Sequence, residues 1–262
     1  MGQQLENAKK LYLEGIMQGN YEEAVNKYTG ATYIQHSTGV KDGKEGFIEF
    51  FSEFVQRNPK REIEIVRGWE DGNYSFLQAY QNINDGAALW VTTDFFRYDD
   101  NGKILEHWDV IAPFHAKTPS GHTSIDGPTE VIDLDKTEEN KKLVRDLLEH
   151  ALMEGGDPTK IKDYISSEKY IQHNPDVADG LEHFYKLANM PNRPLNYTDI
   201  HLVVGQGNFV ATLCRATWKD ENGMKEYAQV DIFRVEDGLI VEHWDNVEVI
   251  PPKEEWANSG KF

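Results

Sequence analysis

Glu106-His107-Trp108-Asp109 reads EHWD, and Glu242-His243-Trp244-Asp245 reads EHWD again. Other stretches recur around this pair. Tyr33-Ile34-Gln35-His36 returns as Tyr170-Ile171-Gln172-His173 at a shift of 137 residues, and so does Asp94-Phe95-Phe96-Arg97 as Asp231-Ile232-Phe233-Arg234. EHWD itself follows at a shift of 136. Asp42-Gly43 has its counterpart in Asp179-Gly180, and Gly72-Asn73-Tyr74 in Gly207-Asn208-Phe209. Order and spacing are both kept, so the chain is one domain written twice. A period this long exceeds that of a solenoid or propeller blade, so each copy needs its own core. The expected division is a first domain over 1–125, a linker over 126–137 where Asp126-Gly127-Pro128 interrupts the pattern, and a second domain over 138–262.

Within each copy the hydrophobic period changes once. Leu5, Ala8, Leu11, Tyr12 and Ile16 fall at helical spacing up to Gly19-Asn20, and residues 21–28 predict a second short helix. Residues 44–55 predict a third. Residues 62–67, 74–82, 88–98 and 104–111 then read as strands, separated by Asp71-Gly72-Asn73, Asn84-Asp85-Gly86 and Asp100-Asn101-Gly102. The second copy repeats the plan, with turns at 220–223 and 236–238 and a shorter third helix over 181–190, ended by Pro191. Helices followed by an antiparallel meander define an α+β fold, with the helices on one face of a curved sheet.

Composition narrows the function. The chain has 262 residues, 39% of them apolar, and 27 Lys and Arg against 45 Asp and Glu give a formal charge of −18. A phosphate backbone would be repelled, so nucleic acid is not an expected partner. No run of about 18 apolar residues exists and no leader pattern opens the sequence, so no membrane association is expected and a cytoplasmic location is. The single cysteine, Cys214, reads as core filler. No GxGxxG, P-loop or HExxH motif is present, and neither a cofactor nor a metal is expected.

Strand alternation splits EHWD into two pairs. His107 and Asp109 share one face and Glu106 and Trp108 the other; likewise Trp90, Thr92, Asp94 and Phe96 share a face of the preceding strand. In the second copy the corresponding sets are His243 with Asp245, and Tyr227, Gln229, Asp231 and Phe233.

Helix, Gly-Asn, short helix, a strand ending in His36, Asp42-Gly43, a third helix, then four strands carrying Asp94-Phe95-Phe96-Arg97 and EHWD resemble the SnoaL-like branch of the nuclear-transport-factor-2-like superfamily. The resemblance covers nearly the whole chain, in two copies. It implies two cone-shaped α+β domains, each with a pocket between sheet and helices. Members include polyketide cyclases, ketosteroid isomerase, epoxide hydrolases, dehydratases and domains that only bind. In ketosteroid isomerase a general-base carboxylate works with a tyrosine and a protonated aspartic acid that stabilise the enolate. Laid on that pattern, the base falls on His36 and His173, the protonated acid on Asp94 and Asp231, and the tyrosine on Tyr12, whose counterpart in the second copy is Glu149. His107, Asp109, His243 and Asp245 complete the candidate catalytic set, and Trp90, Phe96, Tyr227 and Phe233 are candidate ligand contacts.

Two functions remain open on these residues. One is a cofactor-independent acid–base enzyme acting on a small carbonyl compound, an aldol-type cyclase or isomerase. The other is a non-catalytic pair of domains that binds a small apolar ligand or assembles. Each residue also has a structural alternative: His36 can tie a strand end to a helix, and Asp94 can bond His107 across the sheet. The duplication further leads us to expect an intramolecular pseudo-dimer, with any larger oligomer left open.

Overall fold

The computed structural model describes residues 2–190, 195–220 and 223–262. These form two compact units, one of residues 1–113 with 250–262, the other of residues 114–249. The division therefore differs from the expected one: the stretch 126–137 is part of the second unit, and 250–262 belongs to the first. Proline and glycine mark turns, but they do not reveal which core the flanking chain joins.

The first unit begins with helix α1 (Gln3–Lys10), which widens into a π-helical segment over Leu11–Met17. Leu5, Ala8, Leu11, Tyr12 and Ile16 all lie in the core, as their spacing predicts. Gly19 ends the run at φ +84°, a conformation that costs glycine little. Helix α2 (Tyr21–Tyr28), strand β1 (Thr29–Gln35) and helix α3 (Gly43–Arg57) follow. Then come β2 (Arg61–Asp71), β3 (Tyr74–Ile83), β4 (Ala88–Tyr98) and β5 (Ile104–Pro113). The sheet order is β1-β5-β4-β3-β2, antiparallel throughout except that β1 runs parallel to β5. One core cluster packs the helices against Leu77, Ala79, Phe96, Tyr98 and Ile104. On the opposite face Trp69, Phe76 and Phe95 form a buried aromatic row, with centroids 4.6 and 5.1 Å apart.

The second unit repeats this order except that a 3₁₀ segment over Pro158–Asp163 stands where the first unit has α2. Helix α4 (Thr137–Leu147) passes into a π-helical segment over Leu148–Leu152; β6 (Ile171–Gln172) and α5 (Leu181–Ala188) precede β7 (Leu195–Gln206), β8 (Phe209–Asp220), β9 (Gly223–Glu236) and β10 (Leu239–Val249). The sheet order β6-β10-β9-β8-β7 matches that of the first unit. Asp237 and Gly238, at φ +51° and +76°, make the expected tight turn between β9 and β10. The turn expected at 220–223 and the Pro191 stop lie, in whole or in part, outside the described residues. Cys214 is fully buried in the core. Among the described residues no helix is long and apolar enough to cross a membrane.

Candidate active site

Register sets the geometry. In the β4–β5 pair Asp94 lies opposite Asp109 and Phe96 opposite His107, while β1 places Gln35 beside His107. Directly paired residues share a face, so all five side chains lie on one side of the sheet. The helices pack on that side, and Tyr12, from the π-helical extension of α1, reaches into the group. A π-helical turn shifts the side chains that follow it relative to a regular helix and is frequent at functional sites.

Asp94 is the centre of the cluster and is fully buried. Its Oδ1 accepts the Tyr12 hydroxyl at 2.7 Å and lies 2.8 Å from His107 Nε2, while its Oδ2 has no hydrogen-bond partner among the described residues. His107 Nδ1 faces Gln35 Oε1 at 3.0 Å, and Gln35 Nε2 in turn donates to the Tyr33 hydroxyl at 3.0 Å. Phe96 stacks on the His107 ring at 4.7 Å. Burial pushes the Asp94 carboxyl up, against the opposing pull of its His107 and Tyr12 bonds. Tyr12 is held well above the ordinary phenol value by burial and by the adjacent Asp94, so its hydroxyl remains a donor. Asp109 behaves differently. Burial works to raise it, but the charges of Lys261 and His107 outweigh that effect and hold it below the usual carboxylate range. Lys261 Nζ stands 3.1 Å from Asp109 Oδ1, with both side chains buried.

The second unit builds the same cluster from partly different residues. Asp231 Oδ1 lies 3.0 Å from His243 Nε2, and His243 Nδ1 faces Gln172 Oε1 at 3.0 Å. The hydroxyl comes from Tyr197, 3.1 Å from both Asp231 oxygens, and Gln229 adds an amide at 2.8 Å. The second copy therefore does carry a tyrosine. It sits on β7, not at the expected helical position, where Glu149 points to solvent and pairs with Arg145. Helical register could not reveal Tyr197, because the phenol arrives from a distant element; its place on β7 is the signal that was missed. Asp245, opposite Asp231, receives the Asn174 amide at 2.7 Å on Oδ2, and its Oδ1 has no hydrogen-bond partner among the described residues. Burial, with Asp231 nearby, raises its carboxyl to about 6. His243 is also raised: burial lowers it, but the Asp231 bond and the two aspartate charges prevail.

Residues 144–243 match the family model described as a SnoaL-like domain. This stretch of the second unit is a SnoaL-like domain. No curated protein sequence matches the chain. Among solved structures, IdmH of Streptomyces antibioticus, a candidate polyketide cyclase, is 15% identical over 42% of this chain and 92% of its own, with a TM-score of 0.36. An LEH-like epoxide hydrolase of M. tuberculosis is 18% identical over 43% of this chain and 85% of its own, at a TM-score of 0.37. TsrD of Streptomyces laurentii is 22% identical over 42% and 89%, at 0.34.

In the SnoaL-like domain and in the first unit alike, the expected base lies elsewhere. His36 and His173 are on the opposite face from Asp94 and Asp231. Tyr33 and Gln35 turn toward the helices, so the next residue along the strand turns away. His36 stacks on Trp108 at 4.8 Å and an interplanar angle of 2°, its Nε2 is 2.9 Å from Glu106 Oε1, and its Nδ1 donates to Gly260 O at 2.7 Å. His173 repeats this with Trp244 at 4.6 Å, Glu242 at 2.9 Å and Thr123 O at 2.9 Å. Arg97 and Arg234 complete each set by donating to Glu106 and Glu242, both at 2.7 Å. One half of EHWD, the arginine of DxFR and the histidine of YIQH thus form a clamp on a crossing segment, and the other half of EHWD belongs to the buried acid cluster. The ligand candidates divide as well. Phe96 and Phe233 pack on His107 and His243. Trp90 is 38% exposed and Tyr227 lies against Trp218, four residues along their strands from Asp94 and Asp231.

Proposed function

We propose that the chain is a cofactor-independent acid–base enzyme acting on a small carbonyl compound, with aldol-type cyclisation or isomerisation as its chemistry. One observation carries the reading: in each unit a buried aspartic acid holds both a tyrosine hydroxyl and a histidine Nε2 while a second aspartate faces it across the sheet. Removing a proton next to a carbonyl needs a base and a donor for the oxygen that becomes negative. In the first unit Asp109, held ionised, is the base. Asp94, whose carboxyl burial pushes up toward the neutral form, and Tyr12 supply the donors, and His107 passes or holds the proton shared with Asp94. In the second unit Asp245 is the base, with Asp231, Tyr197 and His243 placed about it as Asp94, Tyr12 and His107 are about Asp109. His36 and His173 have none in the chemistry.

The test is exchange of α-protons for deuterium, followed by NMR over a panel of small ketones and β-keto esters. Asp109→Asn and Asp245→Asn are expected to lower exchange in their own units by about 10²–10⁴-fold, the range of a general base. Exchange that persists in the double variant would remove both aspartates from the base role. Absence of exchange in the wild type across the panel would favour a ligand-binding pair.

A further inference from the structure

The two acid clusters differ at one point. In the second unit the partner of Asp245 is the neutral Asn174 amide, whereas in the first unit the partner of Asp109 is the Lys261 ammonium. Residue 37, a shift of 137 before Asn174, is Ser37, which also bonds Asp109. The cation is therefore an addition to the repeated pattern: at the same shift Gly260, whose carbonyl meets His36, corresponds to Thr123, whose carbonyl meets His173, and Lys261 corresponds to Ser124.

The segment that brings Lys261 is held to the first unit residue by residue. Ala257 N donates to Thr38 O at 2.8 Å, and the Asn258 amide donates to Ser37 O and Val40 O at 2.7 and 2.8 Å. Asn258 Oδ1 receives Gly260 N at 2.8 Å, and Gly260 O accepts from His36. Gly260 sits at φ +110°, and a Cβ there would come within 2.3 Å of the Trp256 ring. Only glycine lets the chain turn tightly over the indole, and the next residue is Lys261, 2% exposed. Burying a lysine is costly unless it is paired, so this path is selected by the Asp109 contact.

We propose that Lys261 is a positioning residue of the first-unit site, delivered by the segment 250–262 to fix Asp109 as the ionised base. This rests on the acid–base reading of the cluster. The groups facing Asp109 are Lys261, His107 on its own strand, Asp94 on β4, Tyr12 from the α1 extension and Tyr33 on β1. Of these, Lys261 is a cation with no lysine counterpart beside Asp245 among the described residues, and it makes the two sites of one chain unequal in the pH at which their bases are ready.

The experiment is a carboxyl ¹³C NMR titration of the full chain, with the Asp109 signal assigned by its loss in Asp109→Asn. Lys261→Met is expected to move the Asp109 midpoint up toward that of Asp245, about 6. Lys261→Arg is expected to restore the wild-type midpoint. Lys261→Gln serves the same purpose should methionine disturb packing. An Asp109 midpoint unchanged in both neutral variants would overturn the proposal. The exchange assay runs beside it in an Asp245→Asn background: Lys261→Met should retain at pH 5 about a tenth of its pH 8 rate, while the Lys261-containing chain changes little. Absence of exchange in every chain would sink the acid–base reading alone, since the titration decides the Lys261–Asp109 coupling without substrate.

Discussion

Asp109 and Asp245 occupy the same place in two copies of one pattern, yet their carboxyls are shifted in opposite directions. Burial disfavours the charged form of Asp245 and raises its carboxyl to about 6. A carboxyl raised on folding contributes stability that is complete below its unfolded value and is lost as pH rises through the folded one. The full effect is about 3 kcal/mol, of which about 1 kcal/mol falls between pH 5 and pH 7.5. His243, also raised, acts in the same direction. Urea unfolding of the second unit should therefore show lower stability at pH 7.5 than at pH 5, and Asp245→Asn should reduce that difference. An Asp245→Asn chain with an undiminished difference would place the pH dependence on other groups. None of this contrast was legible in EHWD, because the four letters are identical. Lys261 is 152 positions from Asp109 in the chain, and Asn174 is 71 from Asp245.

Strands were the most readable elements, and the same property produced the main error. Alternation correctly separated His107 and Asp109 from Glu106 and Trp108, and it placed Asp94 and Phe96 on one face. Applied to Tyr33-Ile34-Gln35-His36 it would have turned His36 away from Asp94, since Gln35 is the residue beside His107. The analogy with a strand-end base overrode the periodicity by one position, and in a strand one position is a change of face. The consequence is a sharp contrast between two histidines of the first unit. His36→Ala removes a ring stacked on Trp108 and the contacts to Glu106 and Gly260, and is expected to destabilise the unit by about 1–3 kcal/mol. With Asp245→Asn silencing the other unit, its deuterium exchange at saturating ketone should remain within a few-fold of that of its parent. His107→Ala should lower exchange by about 10²-fold or more. Equal losses of exchange in the two folded variants would mean that the outer-face histidine takes part in the chemistry after all.

At the scale of the molecule the repeated pattern made two sheets of one strand order legible, and the ownership of the connecting segments was not. Sequence periodicity says where a copy of the pattern ends, whereas cores are assembled by contacts, and residues 250–262 follow the second copy in sequence while packing with the first unit. Their hydrogen bonds go to Ser37, Thr38, Val40 and His36, and Lys261 ends at Asp109. A chain lacking residues 250–262 leaves the Asp109 carboxylate without its cation and His36 without its carbonyl partner. Such losses of buried polar contacts are individually worth about 1–3 kcal/mol. Hydrogen exchange followed by mass spectrometry is expected to show faster exchange in β1, the loop after it and β5 of this shortened chain. Protection in β8 and β9, which pair with each other over their whole length, should be unchanged. The division expected from sequence alone gives the reverse outcome, because there 250–262 belongs to the second domain. Loss of protection in β8 and β9 with β1 and β5 unaffected would restore that division and would remove Lys261 from the first-unit site.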